Sequence, residues 1–258
     1  MKIKNQKLTW LIGVTAIMIV IFFVRIRSSP IIIENDVLGE VAISKGNTLA
    51  DFRDDTLPTI LKLPERFHLV NIRDMDSTIL VDLKYATADN FTGMVLYDDL
   101  DGAYLQPDVA LMLAEAHRYL KTLHPGLRLL VYDAVRPLSV QRIMWERVKD
   151  TKYHRYVAHP DRLSLHNYGA AVDLTLADSL GQELDMGTPF DHFGRAAGIS
   201  DEPGLVRQGL LNKQQMQNRQ VLRQMMRHAG FHSISGEWWH FNACSLQEAK
   251  QRYALPDF

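Results

Sequence analysis

The chain has 258 residues, a formal net charge of -1, 47% hydrophobic and 23% charged residues. The length suits one domain, or one domain plus an appendage, and the composition is that of a globular protein without the basic excess that nucleic-acid binding requires. The single cysteine, Cys244, excludes an intrachain disulfide framework and thiolate-rich zinc sites, so any metal must be held by histidines and carboxylates.

An apolar run lies close to the start of the chain. Residues 8–24 read LTWLIGVTAIMIVIFFV, with three lysines before them and two arginines after them. Such a run can span a bilayer as a helix, and the lysine bias keeps the N-terminus in the cytoplasm. We therefore expect residues 1–29 to be an uncleaved signal anchor and 30–64 a connector, with the main body, 65–258, in the periplasm or outside. The alternative is a cleaved signal peptide that releases a periplasmic protein, although no A-x-A-like cleavage site follows the run.

The main body contains both strand and helix patterns. Short apolar or β-branched runs predict strands at 67–72, 78–84, 127–133, 170–176 and 236–243. Apolar residues at helical spacing predict helices at 106–123, 138–149 and 213–228. Because strands and helices do not alternate as βα units, we predict an α+β fold with a mainly antiparallel sheet flanked by helices. His117, on the first of these helices, is expected at the surface or its boundary.

Two segments concentrate residues that can bind metal. Ser164–Asp173 reads SLHNYGAAVD, and 237–240 reads EWWH. Together they supply two imidazoles and two carboxylates, enough for a His₂-carboxylate zinc site and a free base. Any one of these four residues could equally be structural, but the four together favour the site.

The spacing within these segments sets conditions on the backbone. His166 and Asp173 would be roughly 23 Å apart in an extended strand, so a reversal is needed, and Gly169 permits one. Glu237 and His240 are three residues apart and would face opposite sides of a flat strand. The chain must therefore twist or turn near Gly236.

Several motifs resemble those of one family. SLHNYGAAVD is similar to S-x-H-x-x-G-x-A-x-D, and EWWH to an E-x-x-H with the same two tryptophans. KYATADNFTG, DAVRP, VDLTL and MGTPFD follow further motifs of that family in the same order. Over about residues 65–245 the chain thus resembles the zinc D-Ala-D-Ala dipeptidase (VanX-type) family of D-Ala-D-Ala metallopeptidases.

The resemblance implies a role for each matching residue in the reaction. His166, Asp173 and His240 correspond to the ligands of one Zn²⁺ per chain. Glu237 corresponds to the general base, and Arg136 to the group that stabilises the oxyanion.

Further residues are implied in substrate binding and support. Asp191 matches the acidic residue that pairs with the substrate ammonium, and Ser164 and Tyr85 fall in substrate-contact segments. Asp133 is expected to orient Arg136. DAVRP lacks the Gly and Tyr of the family's D-G-Y-R-P, which places pocket shape and substrate preference in question rather than the metal chemistry.

The implied function is hydrolysis of the dipeptide D-alanyl-D-alanine to two D-alanines, in wall-peptide turnover or scavenging or in glycopeptide resistance. One alternative is a D,D- or L,D-carboxypeptidase that trims peptidoglycan stems, which Asp191 argues against. The other is a zinc-containing module that only binds wall peptides, which would need neither Glu237 nor Arg136. The partners expected are the small dipeptide and the membrane, with no nucleic acid and no oligomeric state implied.

Overall fold

The structure is a computed structural model that describes residues 67–97 and 100–256. These residues all fall within one compact unit, Pro58–Phe258. The predicted anchor at 1–29 and the connector at 30–64 lie outside the described residues. None of the helices in the described part of the chain is long and apolar enough to cross a membrane.

Regular structure in the described residues comprises seven strands and six α-helices. The strands are β1 Val70–Asn71, β2 Leu80–Val81, β3 Tyr104–Leu105, β4 Leu127–Asp133, β5 Ala171–Asp178, β6 His232–Ser233 and β7 His240–Asn242. The helices are α1 Ile72–Met75, α2 Pro107–Leu123, α3 Leu138–Val148, α4 Glu202–Arg207, α5 Lys213–His228 and α6 Leu246–Arg252. The three predicted helices are confirmed as α2, α3 and α5.

The main sheet has five strands in the order β2-β4-β5-β7-β6. Strand β2 runs parallel to β4, and the other three pairs are antiparallel. Strands β1 and β3 form a separate antiparallel pair. The predicted α+β class and mainly antiparallel sheet are confirmed.

The hydrophobic core joins the two central strands to helices α2 and α5. Leu129 and Leu174 from the strands and Leu113 and Leu222 from the helices are fully buried in one cluster. Burying each such side chain contributes about 1.5–3 kcal/mol. Since successive residues of β5 point to opposite faces of the sheet, Asp173 lies on the face away from Leu174.

Helix α2 begins at Pro107, which has no backbone N–H. At the first position of a helix this has no energetic cost, because an N–H there would have no acceptor within the helix. Leu113, Ala116 and Leu120 form its buried stripe. His117 is also fully buried, so the surface position expected for it is wrong. It follows Leu113 by four residues and therefore shares the apolar face.

Three predicted strands are shorter than their patterns suggest. The first is interrupted because the Asn71 side chain accepts a hydrogen bond from the Arg73 N–H and starts α1. The second pairs with β4 only at Leu80 and Val81 before a 3₁₀ turn begins at Lys84. The last is reduced to β7, because residues 236–239 lie outside the ladder.

Two longer helices, in addition to α1, were not predicted. Helix α4 begins after Asp201, whose carboxylate accepts from the Gly204 N–H. Helix α6 begins after Ser245 with a capping box, in which Ser245 and Glu248 each accept from the other's backbone N–H. The S-x-x-E spacing is a sequence signal for such a start, so this helix could have been found.

A buried ion cluster links α4 to α5. Nη1 and Nη2 of Arg223 donate to the two carboxylate oxygens of Glu202, a residue that is 2% exposed. Arg219 is fully buried, and its Nη1 lies 3.8 Å from Glu202 Oε1. Neither Nη1 nor Nη2 of Arg219 has a hydrogen-bond partner among the described residues. Arg223 therefore makes the close ion pair, while Arg219 contributes one hydrogen bond, from Nε to the Met186 carbonyl at 2.7 Å.

Candidate metal and catalytic site

The first metal-binding side chain is held by a tight 3₁₀ turn, Leu165–Tyr168. The Ser164 hydroxyl accepts from the His166 N–H, and the Asn167 side chain accepts in return from the Ser164 N–H at 2.7 Å. Gly169 ends the turn with φ +65°, a left-handed conformation that favours glycine. The reversal predicted between His166 and Asp173 is therefore present, and Gly169 makes it.

Three polar residues occupy one row across adjacent strands. Asp173 on β5 pairs with His240 on β7, and Asp133 on β4 pairs with Asp173 on its other side. A shift in register between Val131 and Asp133 brings Asp133 into the row. The antiparallel ladder thus places these side chains together without help from a loop.

Three potential metal ligands converge at this row. His166 Nε2 lies 3.1 Å from His240 Nδ1, and His240 Nδ1 lies 2.9 Å from Asp173 Oδ1. His166 Nε2 and Asp173 Oδ1 are 3.4 Å apart. These are the three ligands that the resemblance implied, and the structure brings them together.

The protonation states of the two imidazoles fit a cation at this point. His166 Nδ1 faces the Ala134 carbonyl at 2.7 Å and must donate to it, which leaves a lone pair on Nε2. His240 Nε2 faces Asn242 Oδ1 at 2.7 Å and donates likewise, which leaves a lone pair on Nδ1. Two lone pairs and a carboxylate oxygen therefore meet with no proton between them. Zinc accepts this donor set, and the partners behind the rings fix their orientation.

Arg136 lies beside the ligand cluster and is held from behind. Its Nε and Nη2 donate to Asp133 Oδ2 at 3.0 and 2.6 Å, and its Nη1 donates to Gln141 Oε1 at 3.1 Å. Tyr97 donates to the other oxygen of Asp133 at 2.5 Å. Nη2 of Arg136 is also 3.6 Å from Asp173 Oδ2. The predicted support of Arg136 by Asp133 is present, and burial with these carboxylates fixes the direction of the guanidinium.

An acidic group lies at another part of the same pocket. The Tyr85 hydroxyl is 3.1 Å from both oxygens of Asp191, and the Tyr85 ring lies 5.3 Å beneath the Arg136 guanidinium. Burial raises the pKa of Asp191 to about 7, and the charge of Asp173 adds to the rise. A carboxylate placed in this way gains from a cationic partner, because the partner restores the charged form.

Glu237 reaches the pocket because the chain leaves the β ladder before His240. Trp238 is buried, and its indole N–H donates to Thr188 Oγ1 at 2.9 Å, which anchors the irregular segment. The turn predicted between Glu237 and His240 is therefore present. Burial raises the pKa of Glu237 to about 7, with His240 opposing the rise and Asp173 adding to it. A carboxyl group with such a pKa can accept and release a proton near neutral pH.

These groups surround a cavity of about 380 Å³. All the predicted ligand, catalytic and substrate-binding residues line it: Tyr85, Arg136, Ser164, His166, Asp173, Asp191, Glu237 and His240. Asp133 lies behind Arg136, as expected. Four residues of the site were not predicted from the sequence: Asn242, Gln141 and Tyr97, which orient the functional groups, and Arg155, which lines the cavity. Of these four, only Asn242 could have been found from the sequence, because residues two apart in a strand point to the same face and Asn242 follows His240 by two.

Two imidazoles, one carboxylate ligand and a separate carboxylate base in one cavity define a zinc peptidase site. A sequence profile described as D-Ala-D-Ala dipeptidase matches residues 65–255, and the chain belongs to this family. The family consists of zinc peptidases, which confirms the metal expected from the sequence.

Three curated relatives carry the name D-alanyl-D-alanine dipeptidase. The Escherichia coli K12 protein is 35% identical over 176 residues, which cover 67% of this chain and 83% of the relative. The Synechocystis PCC 6803 protein is 32% identical, with coverage of 54% and 68%. The Enterococcus faecalis V583 protein is 31% identical, with coverage of 62% and 83%.

Proposed function

We propose that this protein hydrolyses D-alanyl-D-alanine to two molecules of D-alanine, with one zinc ion held by His166, Asp173 and His240. The observation that carries the proposal is the convergence of three proton-free donor atoms in the cavity that also holds Glu237 and Asp191. The name D-alanyl-D-alanine dipeptidase carried by the curated relatives supports the proposed reaction.

The substrate is positioned by its charged amino end. The carboxylate of Asp191, held by the Tyr85 hydroxyl, pairs with the free ammonium of the dipeptide. This contact requires an unblocked amine one residue from the scissile bond, so it favours a dipeptide over a longer stem peptide. Ser164 lies on the cavity wall, where its hydroxyl accepts from the His166 N–H and can donate its own proton to a polar group of the substrate.

The chemical steps are carried by Glu237 and Arg136. Zinc, when bound, supplies a Lewis acid that polarises the peptide carbonyl and makes water more acidic. Glu237 takes a proton from the attacking water as the new C–O bond forms, and then delivers it to the departing nitrogen as the C–N bond breaks. Arg136 faces the negative charge that develops on the carbonyl oxygen, and Asp133 keeps its guanidinium in place.

The test is zinc-dependent release of D-alanine by the full chain. D-alanyl-D-alanine and a stem pentapeptide that ends in D-Ala-D-Ala are assayed separately, with and without a chelator. Cleavage of the dipeptide alone, abolished by the chelator, supports the proposal. Cleavage of the pentapeptide would identify a carboxypeptidase, and zinc binding without cleavage of either would identify a binding module.

A variant separates the base from the metal ligands. Glu237→Gln should retain zinc and lose about 10²–10⁴-fold in kcat, the range for loss of a general base. His240→Ala is the matched comparison, since it should lose zinc as well as turnover. If Glu237→Gln retained full turnover, the assignment of the base would be wrong.

We propose a site of action on the basis of the apolar run at 8–24. The run, with its flanking charges, favours a signal anchor in the cytoplasmic membrane and a catalytic domain in the periplasm or outside. There the enzyme would scavenge D-alanyl-D-alanine released in wall turnover, whereas depletion of a cytoplasmic pool would confer glycopeptide resistance. Fractionation of cells, followed by protease treatment of intact spheroplasts, tests this. Recovery in the soluble periplasmic fraction would mean that the segment is cleaved, and protection from the protease would place the domain inside.

A further inference from the structure

The cavity contains two arginines in different electrostatic settings. Arg136 is neutralised by Asp133 and lies near Asp173. Arg155, on the 3₁₀ turn His154–Tyr156, also lines the cavity. Among the described residues no carboxylate lies within ion-pair distance of Arg155. Its guanidinium lies 5.1 Å from the centroid of the neighbouring Tyr156 ring, and its Nη2 donates to the Tyr156 hydroxyl at 3.3 Å. Arg155 is therefore the cation of the cavity that is still available to an anion.

A row of aromatic rings connects Arg155 to the acidic part of the cavity. The Tyr156 ring stacks on Phe193 with centroids 4.9 Å apart, and Phe193 packs on Phe91 at 5.0 Å. Phe91 in turn meets Tyr85 edge-on at 6.4 Å. We call the wall formed by Tyr85, Phe91, Phe193 and Tyr156 the aromatic wall. Asp191 lies at its Tyr85 end and Arg155 at its Tyr156 end.

A cavity with an anion at one end of an apolar wall and a cation at the other suits a zwitterion. The two Cα atoms of a dipeptide are 3.8 Å apart, so its ammonium and carboxylate are separated by roughly 6 Å when extended. A charge-assisted hydrogen bond of about 2.8 Å at each end extends the required distance between the two protein groups to roughly 12 Å. Asp191 and Arg155 line the same cavity at opposite ends of the aromatic wall and form no ion pair with each other, so neither neutralises the other before a ligand binds.

We propose that Arg155 binds the free C-terminal carboxylate of the dipeptide and so sets the enzyme's requirement for a charged C-terminus. This rests on the proposed dipeptidase function. The planar guanidinium offers two parallel N–H donors to a carboxylate, and the contact with Tyr156 orients it before substrate arrives. Together with Asp191, Arg155 limits substrates to peptides that carry both charges one peptide bond apart.

The test compares D-alanyl-D-alanine with its C-terminal amide, which keeps the scissile bond and lacks the carboxylate charge. Both are assayed with the zinc-loaded full chain as wild type, Arg155→Met and Arg155→Lys. For the free dipeptide, Arg155→Met should raise KM about 10-fold or more and change kcat less than 3-fold, because an exposed charged contact is lost without damage to the reacting groups. For the amide, kcat/KM should be the same in Arg155→Met and wild type. Arg155→Lys should recover part of the affinity for the free dipeptide.

The matched control is Arg162→Met. Arg162 is an exposed arginine seven residues further on that does not line the cavity. Its removal changes net charge equally, so kcat/KM for the free dipeptide should stay at the wild-type value. An equal loss in Arg155→Met for both substrates, or no loss for the free dipeptide, would overturn the proposal.

A binding measurement keeps this result separate from the dipeptidase proposal. Calorimetric titration of D-alanyl-D-alanine into zinc-loaded Glu237→Gln should show binding that weakens about 10-fold when Arg155→Met is added. If wild type cleaves neither substrate but this difference in affinity is found, the dipeptidase function fails and the carboxylate contact stands. Equal affinity of the single and double variants would refute the contact whether or not the wild type is active.

Discussion

The buried imidazole of His117 should make the stability of the fold sensitive to mild acid. Its Nδ1 accepts a hydrogen bond from the Leu129 backbone N–H at 3.2 Å, and its Nε2 lies 3.0 Å from Thr78 Oγ1. Thr78 donates its own proton to Asp76 at 2.6 Å, so Nε2 must be the donor to Thr78. The neutral ring is thus fully satisfied. A second proton on Nδ1 would point at the Leu129 N–H and break that hydrogen bond.

The magnitude follows from the pKa of this ring. Burial lowers the pKa of His117 from 6.5 to about 4, with Asp76 opposing the shift and Lys121 and Arg128 adding to it. The folded state therefore binds fewer protons than the unfolded state between these values. Stability is full above pH 6.5 and is lost as the pH falls. At about 1.4 kcal/mol per pKa unit, the loss is about 2 kcal/mol at pH 5 and about 3 kcal/mol at pH 4.

The assay is urea unfolding of zinc-free wild type and His117→Gln between pH 4.5 and 8. Glutamine keeps a donor and an acceptor but does not titrate. All other titrating groups are common to both proteins, so the difference in unfolding free energy isolates His117. We expect this difference to move by about 2 kcal/mol in favour of the variant between pH 7.5 and pH 5. A difference that stays constant over this range would refute the assignment of a buried neutral histidine.

Three further predictions concern residues that support the site and the core. Asn242→Leu removes the acceptor behind a ligand histidine and should weaken zinc binding about 10–100-fold in a chelator competition, while Asn242→Asp should retain most of the affinity. Arg219→Met should lower the unfolding free energy by less than about 1 kcal/mol, because Glu202 keeps its close partner Arg223. Arg223→Met removes that partner and should lower it by about 2–3 kcal/mol. The reverse order in urea unfolding would contradict this assignment. Gly169→Ala should lower the unfolding free energy by about 2 kcal/mol, since alanine is strained at φ +65°, and an unchanged urea midpoint would show that the turn tolerates a side chain.

Much of the site could be predicted from sequence because its residues lie in short contiguous motifs. His166 and Asp173 share one segment, and Glu237 and His240 another, so local pattern and family resemblance together named the ligands and the base. Arg155 was not predicted, since it lies outside these motifs and lines the cavity through tertiary packing, in which the neighbouring Tyr156 stacks on Phe193. Spacing along the chain carries no information about such contacts.

The fold was predicted well where a pattern is long and poorly where side-chain contacts end an element early. Helix α5 matches its predicted range of 213–228 because Leu222, Met225 and Met226 share one buried face and a capping box at Asn212 fixes its start. The strand predicted at 236–243 is present only in its second half, as β7. In the first half, Trp238 and Trp239 are buried but do not belong to the strand. The burial of His117 was missed for a similar reason. Histidine is a polar residue type, and whether it can be buried on an apolar helix face depends on hydrogen-bond partners such as Thr78, which lies far away in the chain.

Because Asp133, Asp173 and His240 lie in one row across three strands, zinc binding depends on the correct register of the sheet. Side chains alternate across a sheet, so a slip of one residue between β5 and β7 would turn Asp173 away from His240 and scatter the donors. A mispaired sheet could bury similar apolar surface and still be unable to capture zinc. Zinc would then bind during refolding only after the central strands have paired correctly. Chains trapped in the wrong register would remain metal-free, so the metal content would measure the fraction of correctly paired chains.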